Sequence, residues 1–426
     1  MPRMLAWRRA GFLSSVSDIR RVRLLTWRRA RFYVLVIAAI LAFAWVQSIV
    51  AGEPPLNAGG VPIGGDYIAF YTAGRLVLSG EAAQIYDHDT VAAFQHALLD
   101  GRANDFHDAF RNPPFLALMF APLALLDLLP SVGIWTLLSI ACLIAACWLM
   151  LQRLPSLRPA WRGIALAVFA FGPVYFNLVD GENAAVSLLL YVLLYRALTD
   201  GHDRRAGVWA ALGLFKPQLF FVFPLVFLAT RRWRALTAYG LVAAALGAIS
   251  VMLVGVEGVQ SWLRALMDTE SLNAAHNSWR MLSLKTFFEL VLPDAPVVSL
   301  LLYAACAILL VGLLLRAWRH HREGDLPLLW AATSLVAVLV DPHLVDYDLS
   351  VLVPAALLAI VLIPRTHWPM AIFYVLILFR GAVPIGSATL QLGTLLLLAC
   401  LFIVWPRQPS ATRASTRPAA LETVRV

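Results

Sequence analysis

Apolar residues fall in blocks along this chain, and most blocks are about 15 to 20 positions long, close to the length of a helix that crosses a bilayer. The chain is 61% hydrophobic and 14% charged, whereas soluble domains are about half apolar and about one quarter charged. We therefore predict an all-α, polytopic transmembrane helical bundle. The pattern predicts about twelve spans, at residues 32–50, 131–151, 163–179, 184–199, 206–215, 218–230, 235–254, 297–315, 326–340, 349–363, 368–380 and 387–405.

Arginine positions predict how the bundle is oriented. Arginines crowd residues 1–31 and the short segments between alternate apolar blocks, and basic residues favour the cytoplasmic side of a membrane. We predict a retained basic cytoplasmic tail at 1–31, a transmembrane domain at 32–405 and a disordered cytoplasmic tail at 406–426. Two large loops, 51–114 and 255–296, then lie on the outer, periplasmic side.

Within the first large loop, the spacing of apolar residues at 67–78 and 90–99 is typical of amphipathic helices on a membrane surface. The apolar stretch 115–128 is too short for an ordinary span and contains Pro122 and Asp127. We expect it to form a re-entrant or interfacial hairpin that does not cross the membrane.

The stretch 206–230 is interrupted by Phe215-Lys216-Pro217-Gln218. Two half-helices that meet at a proline and a charge suit a cavity wall better than a lipid-facing surface.

Charge and cysteine content exclude some functions. The net charge of +9 comes from clusters between apolar blocks, without a basic stripe interleaved with aromatic residues, so we expect no nucleic-acid partner. The four cysteines lie inside apolar blocks without the paired spacing of a metal or redox site. We expect no cofactor and no metal.

Ionisable residues near the membrane are costly unless they have a partner or a task. In the predicted topology they all fall on the periplasmic side, which is what a site facing that compartment requires. They are Asp66, Arg111 with Asn112, Asp180, Glu182, Lys216, His276, Arg280, Lys285, Asp341, His343, Asp346 and Asp348.

Each of these residues also has a simpler interpretation. Asp66 could only cap the helix that follows it, and Lys216 could extend its charge to the lipid headgroups. His343 could be an ordinary loop histidine, and Asp180 and Glu182 could be solvated loop charges. No single residue decides between a site and these alternatives.

Several short motifs, in order, resemble glycosyltransferase family 87, a bacterial membrane family with the GT-C architecture. They are Gly65-Asp66-Tyr67, Ile85-Tyr86-Asp87, Asn112-Pro113-Pro114-Phe115, Ala121-Pro122-Leu123-Ala124, Gly181-Glu182-Asn183, Gly213-Leu214-Phe215-Lys216-Pro217-Gln218, Asp341-Pro342-His343 and Asp346-Tyr347-Asp348. The family often has Gln where this chain has Glu182, which leaves the role of that position open.

The resemblance implies a hexosyltransferase in a bacterial inner membrane that moves a hexose, with mannose as first choice, from a polyprenyl-phosphate sugar to a lipid or glycan acceptor. It implies Asp66 as the catalytic aspartate, and as general base such a residue would take the acceptor proton and invert the anomeric configuration. We add His343 as a second catalytic candidate, protonated against the leaving phosphate or neutral against the acceptor. The expected substrate-binding residues are Lys216, Arg111, Asn112, Glu182, Asn183, Gln218, His276, Arg280 and Asp348.

Two other functions fit parts of the pattern. A secondary transporter or flippase of lipid-linked substrates would explain the span count and the broken helix at Pro217, although the chain shows no internal repeat. A polymerase or ligase of surface polysaccharide would share the lipid donor without needing Asp66 as a base.

Overall fold

The computed structural model describes residues 26–102, 107–267, 278–363, 367–379, 382–385 and 387–405, and the fold is mostly helical. Its α-helices are Trp27–Val50, Tyr67–Leu78, His88–Leu98, Ala117–Phe120, Leu128–Arg153, Trp161–Phe169, Gly172–Val179, Ala184–Thr199, Asp203–Leu212, Pro217–Phe220, Val222–Ala229, Trp233–Met267, Leu284–Val291, Pro296–Arg319, Leu326–Val340, Val353–Leu362, His367–Leu376 and Leu392–Val404. Short 3-10 helices occupy Ala82–Gln84, Pro114–Leu116, Leu123–Leu125, Pro155–Ala160, Gly213–Phe215, Ser278–Arg280, Glu323–Asp325, Asp346–Leu352 and Ile377–Phe379.

Candidate membrane spans are fewer than predicted. Among the described residues, four helices are long and apolar enough to cross a bilayer: Arg28–Val50, Leu128–Arg153, Trp233–Met267 and Pro296–Arg319. A fifth candidate is the pair Pro155–Phe169 and Gly172–Val179, which is bent by 57°. The other predicted spans coincide with shorter helices, so the count of twelve stays a prediction.

The structure differs from the prediction in two places. The first helix begins at Trp27, so residues 27–31 of the predicted tail are helical, and the division into tail and membrane domain stays a prediction. The chain is also not purely helical, because Ala382–Ile385 and Ala388–Gln391 pair as an antiparallel hairpin before the last helix. Val383, Pro384 and Ile385 explain the hairpin, since proline removes a helical donor and β-branched residues favour strands. The predicted tails 1–25 and 406–426 lie outside the described residues.

Both helices expected in the first large loop are present, but Tyr67–Leu78 does not lie on a surface. Nine of its twelve residues are buried. Gly74 allows this close packing, because a Cβ there would lie 2.9 Å from the carbonyl oxygen of Phe120. The Tyr67 ring also stacks on Trp135, with 6.2 Å between ring centroids. This helix is therefore a central element of the protein, enclosed by the segment 114–125 and the helix Leu128–Arg153.

Both stretches that we predicted to be irregular are broken in the structure, and their position relative to the membrane stays a prediction. Residues 114–125 form only short helical turns and no crossing helix. The helix at 203–212 ends before Lys216, whose φ of −127° and ψ of 73° are not helical, and a new helix begins at Pro217. The predicted end of a span at residue 254 coincides with a break at Gly255, where φ is +71°. Beyond that break the helix continues to Met267, so the second large loop begins as a helix.

Candidate active site

Two glycine turns bring the residue Asp66 against the loop that follows Val179. A Cβ on Gly65 would lie 2.9 Å from Asp180 Cα, and a Cβ on Gly181 would lie 2.6 Å from the carbonyl oxygen of Gly64. Both Gly65 and Gly181 have positive φ, of +47° and +63°. Only glycine fits such a close backbone contact in this conformation. The two turns therefore form one rigid unit.

Hydrogen bonds hold this unit together. The Tyr67 N–H donates to the Asp180 carbonyl oxygen at 3.2 Å, and Trp135 Nε1 donates to the Gly181 carbonyl oxygen at 2.8 Å. Asp66 precedes the helix Tyr67–Leu78, but its side chain makes no capping hydrogen bond. The Asp66 side chain therefore does not cap this helix, and its carboxylate is available for another task.

We expect Gly181→Ala to separate the two turns and to lower both stability and activity. Gly201→Ala is the matched control, because Gly201 has φ of +69° but no neighbouring atom within 4 Å of the place that an added Cβ would take. Both substitutions carry the same left-handed backbone cost of about 1 kcal/mol, so the difference in unfolding free energy measures the clash alone. Equal unfolding free energies for the two variants would contradict the packing described here.

Arg280 pairs with acids from two other parts of the chain. Its Nη2 lies 2.6 Å from Asp180 Oδ2 and 3.0 Å from Asp346 Oδ1, and its Nε lies 3.2 Å from Asp346 Oδ2. The two-pronged contact with Asp346 uses the planar fork of the guanidinium group, which a lysine could not reproduce. Arg280 thus fixes the turn that carries Asp180.

Lys216 is the second cation of the site and is buried, with 5% of its surface exposed. Its Nζ lies 2.6 Å from Asp348 Oδ1 and 3.2 Å from Glu182 Oε2. The ring of Tyr347 lies between the two cations, with Lys216 Nζ 4.7 Å and Arg280 Cζ 5.7 Å from its centroid. The two ion-pair groups are therefore continuous, and we call them with Asp66 the carboxylate cluster.

Burial and neighbouring acids act on Asp66. Burial raises the pKa of Asp66 well above its usual value, and the charges of Asp108, Asp180 and Glu182 raise it further, while Arg280 opposes them. Because like charges and a low dielectric disfavour the ionised form, this carboxylate holds a proton more tightly than one in water.

Asp108 is a member of the cluster that the sequence did not single out. Burial, and then the charge of Glu182, raises its pKa to about 7. Gln95, which is fully buried, accepts from the Asp108 N–H at 2.9 Å and donates to its carbonyl oxygen at 2.8 Å. The sequence did not mark Asp108 as a site residue. The hydrogen bonds that position it come from Gln95, which lies 13 residues earlier in the chain.

His343 lies beside the same cluster. Burial lowers the pKa of His343 to about 4, and the charges of Arg111, Lys285 and Lys216 contribute, while Glu182 acts in the opposite direction. Its imidazole is therefore neutral near neutral pH. The backbone N–H of His343 donates to Asp341 Oδ1 at 2.8 Å, which fixes the loop.

The remaining predicted binding residues differ in their placement. Asn112 Nδ2 donates to the carbonyl oxygen of Phe215 at 2.9 Å, next to Lys216. Asn183 is buried, and neither polar atom of its side chain has a hydrogen-bond partner among the described residues. Gln218 is half-buried on the first turn of the helix that begins at Pro217. His276 lies outside the described residues.

The C-terminal hairpin supports the segment that carries Arg280. Gln391 is fully buried, and its Nε2 donates to the carbonyl oxygens of Ser278 at 3.1 Å and Met281 at 2.6 Å. A Cβ on Gly393 would clash with Leu282 Cδ2. The hairpin, which the sequence did not predict, therefore has a defined structural task.

The acids of the loop 341–348 have partners within the protein. Asp346 pairs with Arg280, Asp348 pairs with Lys216, and Asp341 accepts from a backbone N–H. In the part of the chain that the structure describes, no group of three or more His, Cys, Asp or Glu side chains is arranged to hold a metal ion.

Comparison with known proteins adds a relative that is far larger than this chain. Probable arabinosyltransferase B of Mycobacterium leprae (strain TN) is 32% identical over 196 residues, which cover 40% of this chain and 18% of that protein. The chain thus matches less than a fifth of the relative's length. No solved structure matches this chain.

A family comparison covers more than half of the chain. The sequence model of glycosyltransferase family 87 matches residues 110–345, an interval that contains Lys216, Arg280 and His343 and begins after Asp66. Together with the helical fold and its candidate spans, this match identifies the chain as a multi-pass membrane protein and a member of glycosyltransferase family 87, a GT-C family.

Proposed function

We propose that this glycosyltransferase moves a sugar from a polyprenyl-phosphate donor to a hydroxyl group of a lipid or glycan acceptor, with Asp66 as general base. The reaction would take place on the periplasmic face of a bacterial inner membrane, with both termini cytoplasmic. A hexose, with mannose first, follows from the family resemblance, and the name of the mycobacterial relative adds arabinose as a donor sugar to test.

The observation that carries this proposal is the environment of Asp66. Its side chain has no structural capping bond, and burial with neighbouring acids raises its pKa. A carboxylate with a raised pKa is a stronger proton acceptor, which is what an attacking hydroxyl requires. The Asp66 carboxylate thus has no capping role and is a strong proton acceptor.

Sugar binding is the task we assign to the other carboxylates. Ionised carboxylates accept hydrogen bonds, so Asp180, Glu182 and Asp348 suit sugar hydroxyl groups. Lys216 and Arg280 would hold these acids in place. Direct binding of the donor phosphate by Lys216 or Arg280 is unfavourable, because a phosphate would have to displace a carboxylate partner.

His343 would act on the acceptor. With its pKa lowered to about 4, it is a neutral imidazole that can accept or donate a hydrogen bond. Of the two roles that the sequence left open, this protonation state supports orienting the acceptor hydroxyl. Direct attack assisted by one base would invert the anomeric configuration.

A transport function has weaker support. The broken helix at Lys216 resembles the discontinuous helices of transporters, but in this protein the break carries a cation held by Glu182 and Asp348. Membership in a glycosyltransferase family also favours an enzyme.

The proposal is tested by sugar transfer with the purified protein in nanodiscs. Polyprenyl-phosphate mannose, glucose and arabinose are offered as donors with bacterial membrane lipids as acceptors, and the product linkage is determined by NMR. Transfer with inversion from one donor supports the proposal and identifies the sugar. Absence of transfer from every donor, with uptake of a lipid-linked sugar into proteoliposomes, would favour the transporter.

We expect the charge of Asp108 to affect how kcat/KM for sugar transfer depends on pH. A raised carboxyl pKa means that kcat/KM falls as the pH drops through that raised value. Asp108→Asn removes the like charge that most raises the pKa of Asp66, so the acidic limb should move to lower pH. Asp294→Asn, an exposed acid of the second large loop, should leave the limb unchanged. If the acidic limb of the Asp108→Asn profile stayed at the wild-type pH, Asp108 would have no influence on the pKa of the general base.

A further inference from the structure

A cavity of about 730 Å³ lies outside the carboxylate cluster, where the two large loops meet. Its walls come from residues 83–91 and 107–111 of the first loop and from Ser261, Arg264 and Ala265 at the end of the long helix Trp233–Met267. We call it the loop-junction cavity. Its volume lies within the range of about 300 to 1,000 Å³ that is usual for small-molecule sites.

Two arginines and two histidines lie among the mainly neutral residues of the cavity wall. Arg111 and Arg264 line it together with His88 and His107, whose ring centroids are 4.3 Å apart. Asp87 also lines the wall, and its Oδ1 accepts from the Thr90 N–H at 2.9 Å as a helix cap. The neighbouring acid Asp89 has its Oδ1 3.3 Å from His88 Nδ1. The Nε2 atom of His107 is buried and has no hydrogen-bond partner in the described part of the chain.

Arg264 differs from the two cations of the carboxylate cluster. Its guanidinium donates to neutral oxygens, Ser261 Oγ at 3.2 Å and the Gln260 carbonyl at 3.5 Å, and to no carboxylate in the described part of the chain. Lys216 and Arg280, in contrast, each pair with two carboxylates. An anion would therefore meet less repulsion at Arg264 than inside the cluster.

The cavity and the cluster share one segment of chain. The carbonyl oxygen of Arg111 accepts from Trp262 Nε1 at 3.1 Å, which joins the two loops at the cavity wall. The next residue, Asn112, binds the Phe215 carbonyl beside Lys216. The charge of Arg111 also acts on His343 and Asp108. An anion in the cavity would thus lie next to the groups that we assign to the reaction.

We propose that the loop-junction cavity binds the phosphate group of a membrane lipid through Arg264 and Arg111, with the imidazoles of His88 and His107 as further hydrogen-bonding groups. This inference rests on the proposed function, which offers two sources of that group: the polyprenyl-phosphate donor or a phospholipid acceptor. Paired arginines suit phosphate oxygens, because each guanidinium can donate two hydrogen bonds.

The test is binding of soluble lipid phosphates to the full-length protein in detergent. Citronellyl phosphate represents the donor and dihexanoyl phosphatidylinositol represents the acceptor, while citronellol and dihexanoyl glycerol are uncharged controls. We expect Arg264→Gln to weaken binding of at least one phosphate probe about tenfold, the usual effect of losing a charged hydrogen bond. Arg264→Lys should retain part of the wild-type affinity for that probe. Arg205→Gln, which removes an exposed charge from the helix Asp203–Leu212 outside the cavity wall, should have no effect.

The pattern of loss identifies the source of the phosphate. A loss confined to citronellyl phosphate assigns the cavity to the donor, and a loss confined to the phosphatidylinositol assigns it to the acceptor. Phosphate binding that is unaffected in Arg264→Gln, or absent in the wild type, overturns the proposal. Arg264-dependent binding in a protein that transfers no sugar would leave the cavity standing and reject the proposed function instead.

Discussion

Replacing Asp66 by asparagine should lower sugar transfer by a factor of about 10² to 10⁴, the usual contribution of a general base. The substitution keeps the shape of the side chain and removes its ability to take a proton. The measurement is the initial rate of transfer at saturating donor, with the donor that the wild type uses. Donor affinity should change far less than the rate, because the base acts on the acceptor hydroxyl.

A measurement of unfolding distinguishes a loss of catalysis in Asp66→Asn from a loss of folding. The Asp66 side chain makes no capping hydrogen bond, and its charge is repelled by Asp108, Asp180 and Glu182. Asp66→Asn should therefore unfold no earlier than the wild type. Glu53→Gln, at an exposed acid in the same loop, is the control and should retain full activity. A folded Asp66→Asn protein with undiminished transfer would reject the assignment of the base.

Replacing Lys216 by methionine should destabilise the protein by about 3 to 5 kcal/mol, the usual cost of breaking a buried ion pair. Lys216 is 5% exposed and is the cation between Asp348 and Glu182. Methionine preserves most of the side-chain volume but leaves two buried carboxylates without their cation. Unfolding in mixed micelles of a mild detergent and dodecyl sulfate measures the change.

A surface pair and a double variant provide the controls for Lys216. Lys285 pairs with Glu289 one helical turn away, and both side chains are partly exposed, so Lys285→Met should cost only about 0.3 to 0.5 kcal/mol. The double variant Lys216→Met with Asp348→Asn should recover part of the lost stability, since it removes one unpaired charge. Equal losses of unfolding free energy in Lys216→Met and Lys285→Met would show that the buried ion pairs of Lys216 stabilise the protein no more than the surface pair does.

Most helices were predictable, because most apolar blocks are long enough to favour a helix over a strand. The break at Lys216 was predictable as well, since proline excludes a continuous helix. The hairpin 382–391 was not, because an apolar block with β-branched residues satisfies both helix and strand patterns. The burial of Tyr67–Leu78 also escaped prediction, since its partner Phe120 comes from a segment with no sequence link to it.

The candidate site was predictable only as a set of residues. Lys216, Arg280, Glu182 and Asp348 stood out as charges beside apolar blocks. Which cation meets which acid depends on how distant loops pack, and no spacing in the sequence encodes it. Asp108 was missed for the same reason, because Gln95 positions it through its backbone and not through a motif.

The long-range ion pairs also have a consequence for how the protein is made. Lys216 and its partner Asp348 are 132 residues apart in the chain, and Arg280 follows Asp180 by 100 residues. During synthesis Asp180 therefore emerges well before the cation that balances it. In a chain arrested before residue 348, Lys216 lacks Asp348, so this buried ion pair can form only after nearly the whole membrane domain has been made.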